Sequence, residues 1–261
     1  MLTDIRDFLE ECVEKYNRPF FIESDPISLP HRFSDPRDKE IIGFWVAMLA
    51  WGQRKTIINS GNRILELMDN SPYDYIINHQ ESDRKAFSDF KHRTFQYIDA
   101  LYFLQFFQEF YKRHDSLEEA FSRFMEPEDM DVSNALSGFH RFFFQLPDAP
   151  QRTRKHIATP DRKSTCKRLN MFLRWMVRND KKGVDFGIWK TIEPSQLLIP
   201  LDVHVDRIAR NLGLVTRKQT DWQTVLELTT ELRKLDPNDP VKYDYALFGL
   251  GILDEGNPLK M

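Results

Sequence analysis

Glycine is scarce in this chain, with 10 in 261 residues. A sheet protein of this length usually needs more glycine for its turns, so helices are favoured. Cysteine is scarcer. Cys12 and Cys166 are too few and too far apart for a metal cage or a disulfide framework, and they fit a reducing cytosol. No apolar run approaches the roughly 20 residues of a membrane span. The acidic, amphipathic start MLTDIRDFLEEC lacks the charged-then-apolar pattern of a signal peptide. Repeats and low-complexity segments are missing as well. These absences lead us to expect a cytoplasmic chain with no membrane partner.

Aromatic residues, by contrast, are plentiful. The 21 phenylalanines can bury a sizeable core, which excludes a disordered chain. The net charge of −3 argues weakly against nucleic acid, but it hides a gradient. Between Gln151 and Gln219 stand 16 Lys and Arg against 6 Asp and Glu, a local balance of +10 that leaves −13 for the remainder. A basic segment in an acidic chain is the usual form of a localised anion-binding face, although a solvated charged surface would give the same composition.

The expected class is all-α. Periodicity and caps predict helices over 3–16, from Asp35-Pro36 through IIGFWVAMLAW (41–51), and over 56–68, 94–113, 116–125, 131–146, 165–179, 203–212, 221–234 and 239–250. The stretch 147–165 reads as a basic loop and 180–194 as a variable one. No segment reads as a convincing strand. We expect one unit over 1–261 with two helical lobes, approximately 1–35 plus 195–261, and 36–194.

One helix carries a charge pattern. At about 100° per residue, STCKRLNMFLRWMVR (164–178) places Leu169, Phe172, Leu173 and Met176 on one side. Lys167, Arg174 and Arg178 fall within about 40° of one another on the opposite side. That predicts a cationic stripe on the exposed face of a packed helix. It is either a solvated face or a rail for phosphates with Lys167 at its N-terminal end, where the helix adds positive potential. Further on, Asp202 precedes an amphipathic helix that turns Val205, Ile208, Ala209 and Leu212 inward. Aspartate is a strong N-cap, and capping alone would account for it. The cap is also compatible with chemistry, since a capping carboxylate is rigid and points out of the helix end. His204 and Asp206 read as surface residues. No second His or carboxylate stands at metal-ligand spacing, so no metal is expected.

The segment PLDVHVDRIARNLGL (200–214) closely resembles that of the helix-hairpin-helix DNA glycosylases, the endonuclease III and 8-oxoguanine glycosylase superfamily, written V/P-D-T-H-V-x-R-x-x-x-R-L-G-L. Asp202 falls on that family's essential aspartate. His204, Arg207 and Leu212-Gly213-Leu214 also match, while Val203 replaces the usual Thr. In KSTCKRLNMFL (163–173), Lys167 falls on the hairpin lysine that forms a Schiff base in members that also nick DNA. In MLAWGQRKTI (48–57), Gln53 takes the position of the Gln that fills the gap left by an extruded base. YDYALFGLG (243–251) is similar to the A-L-x-x-L-G helix of the same fold. The matches span roughly residues 40–251. Within the superfamily the chain resembles an uncharacterised bacterial family sharing RLNxFLRWMVR and PLDxHVxRIAR.

The sequence also departs from that pattern. Lys163, Ser164 and Thr165 stand where the hairpin glycines grip a phosphate. Lys167 and Asp202 lie 35 residues apart, so 180–196 reads as an insertion. No four-cysteine loop follows the last helix, so no iron–sulfur cluster or other cofactor is expected.

What the resemblance implies is a two-lobed, glycosylase-like fold with a degenerate hairpin, acting as a monomer on double-stranded DNA that contains a damaged base. Asp202 would stabilise the cation formed at C1′ and activate the nucleophile. Lys167 would be that nucleophile, or would contact phosphate and leave the attack to water. Gln53, Arg54, Lys163, Arg168, Arg174, Arg178, His204 and Arg207 would bind DNA. Trp51, Trp175 and Trp189 are candidates to stack on the flipped base. The alternatives are a nucleic-acid-binding protein without catalysis on the same fold, and a helical protein-interaction module in which Asp202 is only a cap.

Overall fold

The computed structural model describes residues 2–253. Eleven helices run α1 (Leu2–Tyr16), α2 (Pro36–Leu49), α3 (Arg54–Leu67), α4 (Pro72–Asn78), α5 (Tyr97–Tyr111), α6 (Glu119–Ser122), α7 (Ser133–Phe143), α8 (Lys167–Val177), α9 (Val203–Asn211), α10 (Trp222–Leu235) and α11 (Tyr243–Leu253). The class is all-α. Its one sheet among the described residues is a small antiparallel hairpin, β1 (Lys91–His92) with β2 (Phe95–Gln96). That hairpin and α4 were not expected from the pattern. Each is too short to show a period, and Pro72, which reads as a stop, is also the first residue of α4. The helix expected over 116–125 shrinks to Glu119–Ser122.

The chain divides into two compact units. One takes the chain up to Phe21, Glu126–Asn134 and the chain from Thr159 on; the other takes Ile22–Met125 and Ala135–Ala158. This corrects the expected lobes. Residues 159–194, with α8, belong to the C-terminal unit and not to the middle of the chain, because α8 is tied by ion pairs to Asp239 and Asp244. Of the lobe expected over 195–261, residues 254–261 lie outside the described residues.

The middle unit is built on α2. Asp35 caps it by accepting from the Arg37 N–H at 2.8 Å, with Pro36 in the first turn, as the sequence predicts. The apolar run that follows is buried from Ile41 to Ala50. Phe44 sits among Phe103, Phe107, Phe139 and Phe143 with ring centroids 5.4–6.0 Å apart, which accounts for much of the phenylalanine content. Among the carboxylates buried in this unit, Glu40 accepts from the Tyr111 and Ser116 hydroxyls and the Leu117 N–H.

In the other unit α11 packs between α1 and α9. Two glycines allow the approach. A Cβ on Gly249 would lie 2.4 Å from the Tyr16 ring of α1, and one on Gly251 would lie 2.7 Å from His204 Cβ of α9. No helix of the described residues is long and apolar enough to cross a membrane.

Candidate active site

Asp202 is placed by the chain before it. Leu197, Leu198, Ile199 and Leu201 are buried, and the Ile199 N–H donates to the hydroxyl of Thr229 on α10 at 3.1 Å. Arg233, one turn further along α10, donates to the Ser195 carbonyl at 3.2 Å. The segment is thus fixed at both ends before it enters α9. There Asp202 Oδ1 accepts from the His204 and Val205 N–H groups, each at 2.9 Å. This is a full N-cap. It uses one carboxylate oxygen and leaves the other to face outward.

That second oxygen meets Lys167. Lys167 Nζ lies 3.5 Å from Asp202 Oδ2. The Asp202 side chain is 9% exposed and the Lys167 side chain 36%, so the pair has one buried and one open member. Lys167 is the first residue of α8. Its approach is set by the turn at 163–166, where Lys163 (φ 58°) and Cys166 (φ 48°) both adopt left-handed backbone. Lys163 therefore holds, without glycine, the conformation that glycine takes most readily. The Lys163 N–H donates to the Pro160 carbonyl at 2.7 Å, and its own carbonyl accepts from the Trp222 N–H at 3.1 Å.

The exposed cationic stripe does not form. Arg174 and Arg178 share the face of α8 that carries Lys167, but this face turns inward, and the two arginines are 4% and 2% exposed. Arg174 pairs with Asp185 and Asp244. Arg178 pairs with Asp180, Asp185 and Asp239, each at 2.8–2.9 Å. Buried guanidinium groups require such partners, and these are occupied by aspartates of the same unit, not by an external phosphate. The 180–196 segment, read as an insertion, is what supplies Asp180 and Asp185. It is held further by the Phe186 and Trp189 N–H groups, which donate to the Trp175 and Met176 carbonyls.

Trp175 and Trp189 are 1% and 2% exposed, so they are core residues and are not available to stack on an incoming base. Trp189 meets Phe172 edge-on at 5.4 Å. His204 is half-buried and Arg207 is exposed, and both bond the Gly251 carbonyl, at 3.2 and 2.8 Å. His204 is thus a half-buried residue that packs where Gly251 leaves room. Asp206 accepts from Arg210 and Thr220. Lys163 is exposed, and Arg168 is partly buried with its pKa lowered by desolvation to about 10. Trp51, Gln53 and Arg54 belong to the middle unit. Gln53 is exposed and starts α3 without a side-chain cap bond, and Trp51 is half-buried beneath the Arg93 guanidinium, 5.6 Å from the ring centroid.

The residue missed by sequence reasoning is Asp244. It is 5% exposed in the first turn of an apolar helix, and it pairs with Arg174. Burial pushes its carboxyl up, to about 6; Arg174 opposes this, and the charges of Asp202 and Asp185 add to it. A lone carboxylate in YDYALFGLG was the available signal. Among the described residues no group of three or more His, Cys, Asp or Glu could hold a metal ion.

The model of the family described as "protein of unknown function (DUF2400)" matches residues 25–253, and the chain belongs to that family. No curated protein and no solved structure matches the chain.

Proposed function

We propose that this DUF2400 protein is a DNA base-excision glycosylase of helix-hairpin-helix type, with Asp202 and Lys167 as its catalytic residues. The observation that carries the reading is the 3.5 Å approach of Lys167 Nζ to the free oxygen of a capping carboxylate. Two residues 35 positions apart in sequence, singled out by their resemblance to the catalytic pair of that superfamily, are neighbours at the surface of one unit.

The chemistry follows from that pair. The Lys167 ammonium gives a proton to Asp202, and the neutral amine attacks C1′ of the damaged nucleotide. The bond from C1′ to the base breaks with its electron pair passing to the base, which leaves with the proton that Asp202 received, so that Asp202 is ionised again. Positive charge develops on the sugar in this step. A fixed carboxylate oxygen beside it needs little reorganisation to stabilise that charge. The C1′–O4′ bond of the resulting aminal then breaks, with the amine proton passing to O4′, and the imine so formed on Lys167 opens the way to strand scission. Lys163, exposed at the hairpin, is the residue proposed to meet phosphate, with Gln53 and Arg54 of the middle unit as further DNA contacts. The buried Arg174 and Arg178, paired with aspartates of the same unit, are not proposed as DNA contacts.

The test is incubation with duplexes carrying 8-oxoguanine, uracil, alkylated bases and oxidised pyrimidines, with borohydride added to trap an imine. A covalent adduct that disappears in Lys167→Gln supports the reading. Base release without an adduct moves the nucleophile to water. Salt-dependent binding with no release on any lesion supports a nucleic-acid-binding protein without catalysis.

A further inference from the structure

The middle unit holds an arginine that is fixed in place by neutral groups alone. Arg84, in the turn at 83–87, is half-buried. Its Nε donates to His79 Nε2 and its Nη2 to Gln108 Oε1, each at 3.0 Å. His79 Nδ1 stands 3.0 Å from the Tyr75 and Ile76 carbonyls. Carbonyls only accept, so Nδ1 carries the ring proton and Nε2 keeps the lone pair that Arg84 uses. Burial, aided by the charge of Arg84, lowers the His79 pKa and keeps the ring neutral. The Gln108 amide is held in turn, donating to the His79 carbonyl at 3.0 Å. Among the described residues no carboxylate stands within ion-pair distance of Arg84. Arg174 and Arg178 of the other unit, by contrast, are each met by aspartates. A half-buried, pre-oriented guanidinium without such a partner is suited to an anion from outside.

Arg84 lines a cleft of about 490 Å³ formed wholly by residues of the middle unit. Small-ligand sites range over roughly 300–1,000 Å³, so the cleft can hold one small molecule. One wall is α5, where Tyr97, Ile98, Leu101 and Gln105 follow helical spacing. The Tyr97 side chain is 42% exposed and packs on no other ring among the described residues. Lys85 adds a second cation to the lining, and Glu81 and Asp148 add two carboxylates. None of these three forms an ion pair among the described residues.

The lining therefore combines three kinds of complementarity. Two cations suit a dianion better than a monoanion. The open Tyr97 ring, with Ile98 and Leu101, offers an apolar surface for a flat ring. Glu81 and Asp148 can only accept, so they suit a ligand that brings hydroxyl or amino donors. We propose that this cleft binds a free nucleoside 5′-monophosphate, with its phosphate on Arg84 and Lys85 and its base on Tyr97. The ribose hydroxyls or base amino groups then meet Glu81 and Asp148. The site is independent of the glycosylase reading, since it uses no residue of the Lys167–Asp202 pair.

The test is isothermal titration calorimetry of the full chain with the 5′-monophosphates of adenosine, guanosine, cytidine and uridine. The parent nucleosides, inorganic phosphate and indole-3-acetate, a ring that carries a monoanion, are titrated beside them. At least one monophosphate should bind, and each comparison compound should bind it at least tenfold more weakly. Tyr97→Ala removes an exposed ring, should fold as the wild type does, and should weaken binding by roughly tenfold through the loss of one base stack. Arg84→Met should weaken it by at least tenfold through the loss of a charged hydrogen bond. Lys167→Gln should leave it unchanged. Absence of binding by every monophosphate at millimolar concentration overturns the proposal. So does binding that is unchanged in Tyr97→Ala, or a nucleoside or indole-3-acetate that binds as tightly as the monophosphate. Binding that is lost in Lys167→Gln places the nucleotide at the other unit and overturns the assignment to this cleft.

Discussion

Lys167 Nζ and Asp202 Oδ2 stand 3.5 Å apart while Asp202 Oδ1 caps α9, so one carboxylate serves a helix and faces a cation at the same time. Cap and site are therefore separable by substitution. Asparagine keeps an oxygen that can accept from the His204 and Val205 N–H groups and loses only the charge. Asp202→Asn should change the unfolding free energy by less than about 0.5 kcal/mol, while Asp202→Ala should cost about 1 kcal/mol. Both should reduce base release by about a hundredfold or more. Urea unfolding beside single-turnover kinetics checks the split.

Exposed and buried cations should behave differently. Removing Arg178 leaves the buried Asp185 with Arg174 alone and takes a guanidinium from the part-exposed Asp239, and Arg178→Ala should destabilise its unit by about 3 kcal/mol. Lys163→Ala should leave stability nearly unchanged and lower the salt dependence of DNA binding by roughly 0.9 in the logarithmic slope. Denaturant melts and binding titrations over a range of salt concentrations measure the two effects. An equal loss of stability in both variants would contradict the burial described above.

Gly251 sets the distance between α9 and α11. A methyl group there would lie 2.7 Å from His204 Cβ and 3.3 Å from the His204 carbonyl oxygen, and neither can swing away as a flexible side-chain end would. Gly251→Ala should cost about 1–3 kcal/mol. It should also slow base release, because the strain falls two residues from Asp202. Gly213, where no atom lies within 4 Å of an added Cβ but φ is 73°, offers the contrast of backbone strain without collision. Thermal melts of both variants beside their release rates would show whether the site follows the collision.

The middle unit carries its own pH dependence. Asp99 is fully buried; burial would raise its carboxyl, but the His156 ring 3.4 Å away and bonds from the Thr153 hydroxyl and the Gln96 N–H bring it below the ordinary value. A carboxylate lowered by folding contributes stability above its unfolded pKa and loses it as the pH falls through the folded one. Stability should therefore decline below about pH 4. Asp99→Asn should remove that part of the decline at a cost of about 3 kcal/mol near neutrality. Unfolding followed between pH 3 and pH 7 compares the two proteins.

Periodicity was sufficient for the long helices. Asp35-Pro36 starts α2 and Asp202 starts α9, because caps are local chemistry. The direction in which α8 faces was not legible. Lys167, Arg174 and Arg178 do share one face, but a helical wheel cannot distinguish water from a wall of aspartates. The partners lie elsewhere in the chain, in a segment without periodicity and in an apolar helix. The same limit applies to Trp175 and Trp189, which side-chain type alone left open between core and site. The Lys167–Asp202 approach was reached through resemblance, and spacing alone would not have given it.

The central claim is that the charge of Asp202 supports cleavage of a glycosidic bond. The most direct measurement is the amount of free base released in a single turnover by the wild type and by Asp202→Asn, at matched and fully folded concentrations across the lesion panel. The account predicts release of at least one damaged base by the wild type and its loss in Asp202→Asn. Release that continues unchanged in Asp202→Asn, or a wild type that releases no base from any duplex it binds, would contradict it.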